Sequence, residues 1–186
     1  MFLALLTVDQ FKKCASAKGH TPTDAIAHAF IDQAEKFGGI NSKREAYMAI
    51  AQMAWESDGF RAKAEYACSN GHWNSRCASY DKKGCPAGKN YYGRGFIQLT
   101  HCYNYKAAAN AIGDQRIVND PDIVARDDRL AMATALWYWK SRVHSYVTNG
   151  HFGAATKHIN GGECHGAASA AHQRWAVFKS CLQKVS

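Results

Sequence analysis

The chain has 186 residues and a formal net charge of +8, from 23 Lys and Arg against 15 Asp and Glu. A chain of this length most simply forms one domain with a full-sized core, so we expect residues 1–186 to be a single domain. The positive charges are spread along the sequence and form no basic arm, which argues against nucleic-acid binding. No apolar run approaches the ~20 residues that cross a bilayer, which argues against a membrane protein.

Seven cysteines are many for a cytosolic chain of this size. Their spacing includes no CxxC pair, which argues against zinc or thioredoxin-like chemistry. We therefore expect disulfide bonds and a secreted, extracellular protein. Because seven is odd, at least one thiol is unpaired or pairs between molecules. Residues 1–6 are apolar but lack a basic n-region and are shorter than the usual ~7–15-residue signal core, so either a signal has been removed or another route exports the protein.

The N-terminal third is predicted to be helical. A first helix is expected to begin with Thr21 as its N-cap and Pro22 in its first turn, and to end at the glycine pair 38–39. A capping box at residues 42–45 begins a second helix, which ends at Gly59, a residue that accepts the left-handed conformation. The apolar residues that repeat at helical spacing are Ile26, Phe30 and Phe37 in the first helix and Ala46, Tyr47, Ile50 and Met53 in the second.

Two glutamates are candidates for acid and base chemistry. Glu56 follows Trp55 in the last turn of the second helix, and a carboxyl half-buried beside an indole has a raised pKa, which suits a general acid. Glu65 follows nine residues later, and on one uninterrupted helix the two carboxylates would face opposite sides. The break at Gly59 allows Glu65 to fold back opposite Glu56. Taken alone, however, two glutamates at this spacing are more often solvated surface charges.

Residues 68–90 are polar and rich in Ser, Asn, Gly and Lys. A loop of this length usually carries a covalent link or a function. Trp73 and Tyr80 lie within it, and two interpretations remain open for them: they stack on sugar rings, or they anchor the loop to the core.

The stretch 91–105, YYGRGFIQLTHCYNY, combines tight turns with polar and aromatic side chains. Gly93 and Gly95 flank Arg94, so the backbone can turn tightly and expose its amides to a ligand. Hydroxyl and amide groups that both donate and accept hydrogen bonds stand beside flat aromatic faces, a combination typical of a sugar-binding surface. A glycine turn that enters a buried segment explains the same pattern. The residues concerned are Gln98, Thr100, Tyr103, Asn104 and Tyr105.

Several segments resemble the glycoside hydrolase family 19 chitinases: WES with a second Glu nine residues after the first, CPAGKNYYGRGFIQLTHCYNY, HINGGEC and QRW. The resemblance covers residues 46–181. The spacing of nine residues between the two glutamates is similar to that in the short-loop, bacterial-type branch of the family. It implies a mainly α, lysozyme-like bilobal helical domain with a substrate cleft and little or no sheet. It also implies a monomer that acts on chitin or chitooligosaccharides and needs no metal or other cofactor.

Residue by residue, the resemblance implies an inverting endo-chitinase that cleaves β-1,4 bonds between N-acetylglucosamine units, with Glu56 as general acid and Glu65 as general base. Thr100 stands where the family has a Ser that holds the attacking water. Glu163 and Arg174 match an ion pair that reaches the general acid. The positions implied in substrate binding, directly or through that ion pair, are Gln98, Tyr103, Asn104, Asn160, Glu163 and Arg174.

The sequence departs from the family pattern at three points. Trp55 precedes the acid where the family commonly has His, so the hydrogen bond of that His is lost or replaced. Thr100 adds a methyl group to the hydroxyl. The INGG turn is one residue shorter before Glu163, so Glu163 matches its family position less closely than Asn160 does.

The remaining expectations concern cysteines, a histidine and a helix. We predict the pairs Cys77–Cys85, Cys164–Cys181 and Cys14–Cys68, with Cys102 as the unpaired thiol. His101 is interpreted as a surface or structural histidine rather than a cleft residue. A helix over 129–140 is expected to place Leu130, Ala133, Trp137 and Tyr138 in the core.

Two other functions compete with the chitinase. The first is a peptidoglycan-cleaving endolysin, since relatives of this fold have that activity. The basic net charge slightly favours this function, and the CPAG loop, which resembles that of chitinases, argues against it. A non-catalytic chitin-binding defence protein is the second, and the presence of both glutamates and of a hydroxyl at position 100 argues against it.

Overall fold

The structure is a computed structural model that describes residues 5–69, 74–80, 82–165 and 169–186, without the side chain of Arg76. Trp73 therefore lies outside the described residues. Helices account for most of the described chain, which contains only two isolated β-bridges, Ala64 with Arg94 and Arg94 with Leu99. The mainly α fold expected from the sequence is confirmed.

The helices, in chain order, are α1 Val8–Ala15, α2 Asp24–Ile31, α3 Ala34–Gly38, α4 Lys43–Glu56, α5 Ser75–Ser79, α6 Cys102–Ile112, α7 Arg116–Asn119, α8 Ile123–Arg126, α9 Asp128–Arg142, α10 His144–Val147, α11 Phe152–Asn160 and α12 Ala170–Val185. Short 3-10 helices span Ser16–Lys18, Tyr66–Cys68 and Gly161–Cys164. No helix in these described ranges is both long enough and apolar enough to cross a membrane.

Helix α4 is the centre of the core, because every residue from 45 to 54 is buried. Its alanines let α1, α11 and α12 approach closely, so α4 is covered by neighbours and has no solvent face in that stretch. The carboxyl group of Glu56 follows at the end of this helix, where the packing opens to the surface. The position of Glu56 is therefore set by the most enclosed helix of the protein.

The predicted capping box of α4 forms only in part. The Ser42 hydroxyl accepts a hydrogen bond from the backbone N–H of Glu45 at 3.3 Å. The Glu45 side chain does not return to the cap. It accepts hydrogen bonds from the indole of Trp139 at 2.8 Å and lies 2.6 Å from Nδ1 of His144. A buried carboxylate gains more from these two partners than from a partly solvated cap.

The first predicted helix differs from the structure at both its start and its continuity. The N-cap is Thr23, whose hydroxyl accepts from the backbone N–H of Ile26, and not Thr21. The helix also divides into α2 and α3 around Gln33. The buried amide of Gln33 donates to the carbonyls of Ala29 at 2.7 Å and Arg129 at 3.3 Å, which ties this break to α9.

All three predicted disulfide pairs are wrong. The bonds are Cys14–Cys181, Cys68–Cys77 and Cys85–Cys102, and Cys164 is a free, exposed thiol. Two of the predicted pairs, Cys77–Cys85 and Cys164–Cys181, joined cysteines that are near in sequence, whereas α1 and α12 lie side by side and bring together two residues 167 positions apart. Cys102, predicted to be unpaired, begins α6 and holds the polar loop through Cys85.

We expect the Cys14–Cys181 bond to contribute most to stability, because it closes by far the longest loop. Replacing both residues by Ala should lower the free energy of unfolding by about 3–5 kcal/mol, and the Cys68→Ala, Cys77→Ala pair should cost less. Urea unfolding followed by circular dichroism measures both.

The matched control is Cys164→Ala, which removes a thiol and no bond and should leave the urea midpoint unchanged. A larger loss for the Cys68–Cys77 pair than for the Cys14–Cys181 pair would contradict the loop-length argument.

Candidate active site

The carboxyl group of Glu56 is bound by the guanidinium of a residue 118 positions later in the chain. Arg174, on α12, is 1% exposed, and its Nη2 donates to Oε1 of Glu56, whose side chain is 17% exposed. The Arg174 guanidinium also lies 5.6 Å from the ring centroid of Trp55. Trp55 thus makes a cation–π contact with the same guanidinium that binds Glu56.

All three nitrogens of the Arg174 guanidinium donate hydrogen bonds. Its Nε donates to Glu163 at 2.6 Å, its Nη2 to the same carboxylate at 3.0 Å, and its Nη1 to Gln52 at 2.8 Å. Gln52 in turn donates to the hydroxyl of Thr156, and Asn160 donates to Glu163. Burial lowers the pKa of Arg174, but the hydrogen bonds and charges of Glu163 and Glu56 outweigh this and raise the pKa above its ordinary value. The guanidinium is therefore a fixed positive charge.

Two opposing influences act on the pKa of Glu56. Burial raises it most strongly, the charge and hydrogen bond of Arg174 lower it, and the nearby carboxylate of Glu163 raises it. The net result is a pKa above the ordinary value of 4.5. Such a carboxyl group keeps its proton to higher pH, as a general acid requires.

Glu56 lies in a polar cavity of about 320 Å³. The residues that line it come from α4, from the segment 97–104 and from helices α9 and α11. They are Glu56, Ile97, Gln98, Thr100, His101, Tyr103, Asn104, Tyr138, Ile159 and Asn160. The cavity thus brings together the predicted acid, Thr100 and the four residues implied in direct sugar contact.

Asn104, which lines the cavity, is tied to the neighbouring backbone. Its amide nitrogen donates to the carbonyl of Thr100 at 2.9 Å, while its Oδ1 is buried and has no hydrogen-bond partner among the described residues. Gln98 and His101 have positive φ angles of 53° and 69°. These left-handed conformations are strained for residues with side chains and are typical of functional sites.

Glu65 lies beside this cavity and not among the residues that line it. Its Oε2 accepts a hydrogen bond from the hydroxyl of Tyr80 at 2.8 Å and lies 3.5 Å from the backbone nitrogen of Gly93. A Cβ at Gly93 would come within 2.9 Å of Oε1 of Gln98, so this glycine lets Gln98 pack directly against the Glu65 segment. Glu65 is thus connected to the cavity through Gly93 and Gln98.

Three rings form a row along the cavity, which we call the aromatic row: Tyr80, His101 and Tyr103. The Tyr80 and His101 rings meet edge to face at 5.3 Å, and His101 stacks on Tyr103 at 5.3 Å. Tyr103 is 53% exposed. His101, interpreted as a surface or structural histidine, is also one of the residues that line the cavity, and its ring packs between two tyrosines. Tyr80 contacts both the predicted base and His101, so its loop is anchored beside the cavity.

Tyr138 was expected in the core but lines the cavity. On α9 the fully buried aromatic side chain is Trp139, while Trp137 and Tyr138 are half-buried. Leu130 and Ala133 are buried as predicted. The hydrophobic spacing alone did not separate three consecutive aromatic residues, because the helix packs on several sides.

The described residues contain no group of three or more His, Cys, Asp or Glu that is placed to hold a metal ion. The cavity instead offers one protonatable carboxyl, one nearby carboxylate, amides, hydroxyls and aromatic faces. These groups can transfer protons and bind a neutral polyhydroxy ligand.

Comparison with known proteins agrees with this chemistry. Residues 1–158 match the glycoside hydrolase family 19 model described as chitinase class I. The chain is 44% identical over 148 residues to an endochitinase of Arabidopsis thaliana, covering 78% of this chain and 50% of that protein. It is 32% identical over 205 residues to chitinase 3 of Oryza sativa subsp. japonica, covering 90% and 63% respectively. The chain spans about half the length of the two Arabidopsis thaliana endochitinases that it matches.

Solved structures give the same result. Chitinase C of Streptomyces griseus aligns with a TM-score of 0.78 at 29% identity, over 100% of this chain and 78% of that one. The class IV chitinase of Zea mays aligns with a TM-score of 0.75 at 28% identity, over 97% and 92%.

Replacing Arg174 tests how the charge of Glu56 is controlled. Arg174→Gln should raise the pKa of Glu56 further, because it removes the charge and the hydrogen bond that lower it. Arg174→Lys keeps the charge and should give a smaller rise. Carbon-13 NMR of the Glu56 carboxyl group across a pH titration measures both shifts.

The matched control is Arg129→Gln, which removes a surface arginine that pairs with Asp32. It should leave the titration of Glu56 unchanged. A folded Arg174→Gln protein in which the pKa of Glu56 is the same or lower would contradict this account.

Proposed function

The chain belongs to the glycoside hydrolase family 19 chitinases, and we propose that it is an endo-acting chitinase that hydrolyses the β-1,4 bonds between N-acetylglucosamine units with inversion of configuration. The observation that carries the proposal is the Glu56 carboxyl group, whose pKa is raised by burial and which lies in a polar cavity against a buried arginine. The disulfide bonds support action in an oxidising, extracellular compartment.

Glu56 is the general acid of the proposed reaction. Its proton passes to the glycosidic oxygen as the bond from that oxygen to the anomeric carbon breaks. Glu56 becomes a carboxylate at that moment, and the fixed positive charge of Arg174 stabilises it. Burial keeps the proton on Glu56 beforehand, and Arg174 makes its release easier. Burial, which raises the pKa of Glu56, therefore acts before proton transfer, and Arg174, which lowers it, acts as the proton leaves.

Glu65 is the general base. It takes a proton from a water molecule that attacks the anomeric carbon from the opposite ring face, and inverting enzymes hold the two carboxyls roughly 6.5–9.5 Å apart to leave room for this water. The hydrogen bond from Tyr80 orients the carboxylate of Glu65. Thr100 lines the cavity and supplies a hydroxyl that holds the water.

The amide and aromatic groups of the cavity bind the substrate. Asn104 lines the cavity and offers an amide group for hydrogen bonding to the acetamido group. The exposed face of Tyr103, backed by His101, suits the apolar face of a pyranose ring. Asn160 and Gln98 line the same cavity as Glu56 and offer further amide contacts.

The first test is hydrolysis of chitin hexasaccharide, with the anomer of the fresh products read by proton NMR and with peptidoglycan in parallel. Initial α-anomer is expected, because one displacement at a β-linked carbon inverts it. Initial β-anomer would contradict the assignment of Glu65. Cleavage of peptidoglycan alone would identify a peptidoglycan hydrolase, and binding without cleavage of either would identify a chitin-binding protein.

Replacing the two carboxyl groups assigns their roles. Glu56→Gln should lower kcat on the hexasaccharide by about 10²–10⁴-fold, and Glu65→Gln should also lower it strongly. Full residual activity in Glu56→Gln would refute the assignment.

Thermal unfolding is the control for the fold of Glu56→Gln. Because the pKa of Glu56 is raised in the folded protein, the stabilising effect of the protonated form is complete at acidic pH and is lost as pH rises through that value. Gln does not ionise, so the stability of the variant relative to the wild type should increase from acidic to neutral pH.

A further inference from the structure

The cavity around Glu56 continues into a second cavity of about 520 Å³. The two share Tyr103, Asn104 and Tyr138 as common walls. The second cavity is lined in addition by residues of α9, α10 and α11, which are Ser141, Arg142, Tyr146 and His158. None of these was implicated in sugar binding by the sequence, and together they extend the cleft away from Glu56.

An exposed aromatic ring in this second cavity is held in a fixed position. Tyr146 is 53% exposed, and its ring stacks on that of His158 with a centroid distance of 3.6 Å and an interplanar angle of 14°. His158 covers one face of the Tyr146 ring, and about half of the residue remains accessible. A rigid aromatic face beside a polar cavity has the shape that binds the apolar face of a sugar ring.

The second cavity carries a positive charge from Arg142. Arg142 is exposed, and among the residues that line this cavity, all within the described chain, none is a carboxylate. Burial raises the pKa of Tyr138, the charge of Arg142 lowers it, and the charge of Glu56 raises it. Tyr138 thus lies within electrostatic range of both Arg142 and Glu56. Because the two cavities share Tyr103, Asn104 and Tyr138 as walls, one bound oligosaccharide can span both.

We propose that Tyr146, His158 and Arg142 form an outer subsite that binds one further N-acetylglucosamine ring and disfavours a deacetylated ring. This inference rests on the proposed function of the cleft. The ring stacks on Tyr146, and the guanidinium donates to the carbonyl oxygen of the acetamido group. A glucosamine ring offers an ammonium group in its place, which has no acceptor for Arg142 and repels its charge.

Binding to the inactive Glu56→Gln protein tests the stacking contact. Calorimetry with chitin trisaccharide and hexasaccharide should show that the hexasaccharide binds more tightly. Adding Tyr146→Ala should weaken hexasaccharide binding by about tenfold, equivalent to about 1.4 kcal/mol, and reduce the advantage of the longer ligand. Tyr146→Trp should restore that advantage. An unchanged ratio of the two affinities in the Tyr146→Ala protein would overturn the subsite.

Arg142→Gln tests the choice of ring. The wild type should hydrolyse fully acetylated chitin oligosaccharides with a higher kcat/KM than partially deacetylated ones, and Arg142→Gln should reduce this preference by about fivefold, the effect of one charge pair at ~4 Å in water. Arg116→Gln removes the same charge from an exposed arginine on α7 and should leave the preference intact. An equal preference in Arg142→Gln and the wild type would overturn the role of Arg142.

Failure of the proposed function remains distinguishable from failure of the subsite. If the wild type binds the hexasaccharide but cleaves no bond, the chitinase assignment fails. The dependence of affinity on ligand length and on acetylation, measured by calorimetry with the same variants, then still decides whether the outer subsite exists.

Discussion

The buried guanidinium of Arg174 joins the C-terminal helix to the carboxyl group at the end of α4. Removing such a charge from water costs several kcal/mol, which its partners must offset. Glu56, Glu163 and Gln52 together satisfy its donors, and the ring of Trp55 lies beside it. The cost is met only when α12 packs against α4, a contact that the Cys14–Cys181 bond supports by joining α12 to α1. The position of the Glu56 carboxyl group therefore depends on α12, the last helix of the chain.

A second buried guanidinium organises the other wall of the cleft. Arg94 is 2% exposed, donates to the carbonyl of Asn90 and the hydroxyl of Tyr105, and pairs with Asp122 at 2.7 Å. These contacts fix the tight segment between Gly93 and residue 101. The glycines are thus used for close packing of the backbone, and the strained Gln98 and His101 are held by a core that can absorb their cost.

The helical fold and the position of Glu56 at a helix end were accessible from the sequence because each depends on neighbours in the chain, whereas the roles predicted for Glu56 and for the stretch 91–105 came from the family resemblance. Helical spacing and the glycine at position 59 predicted where α4 ends, and so placed Glu56 at its terminus. The motif over 91–105 concentrated amides, hydroxyls and rings within fifteen residues, so most of the cavity wall came from one segment. Such local patterns survive folding, because helix and turn geometry fix which side chains share a face.

The contacts between distant segments were decided by the tertiary structure alone. The three predicted disulfides were wrong, because the packing of α1 on α12, which joins Cys14 to Cys181, cannot be read from either helix. The same holds for Tyr138, whose exposure depends on which sides of α9 are covered, and for His101, whose neighbours come from a distant loop and from its own helix. The sequence determined which groups the cleft contains. The packing of α12, α9 and the disulfide-bonded loop decided which of them meet, because burial and pairing depend on all neighbours at once.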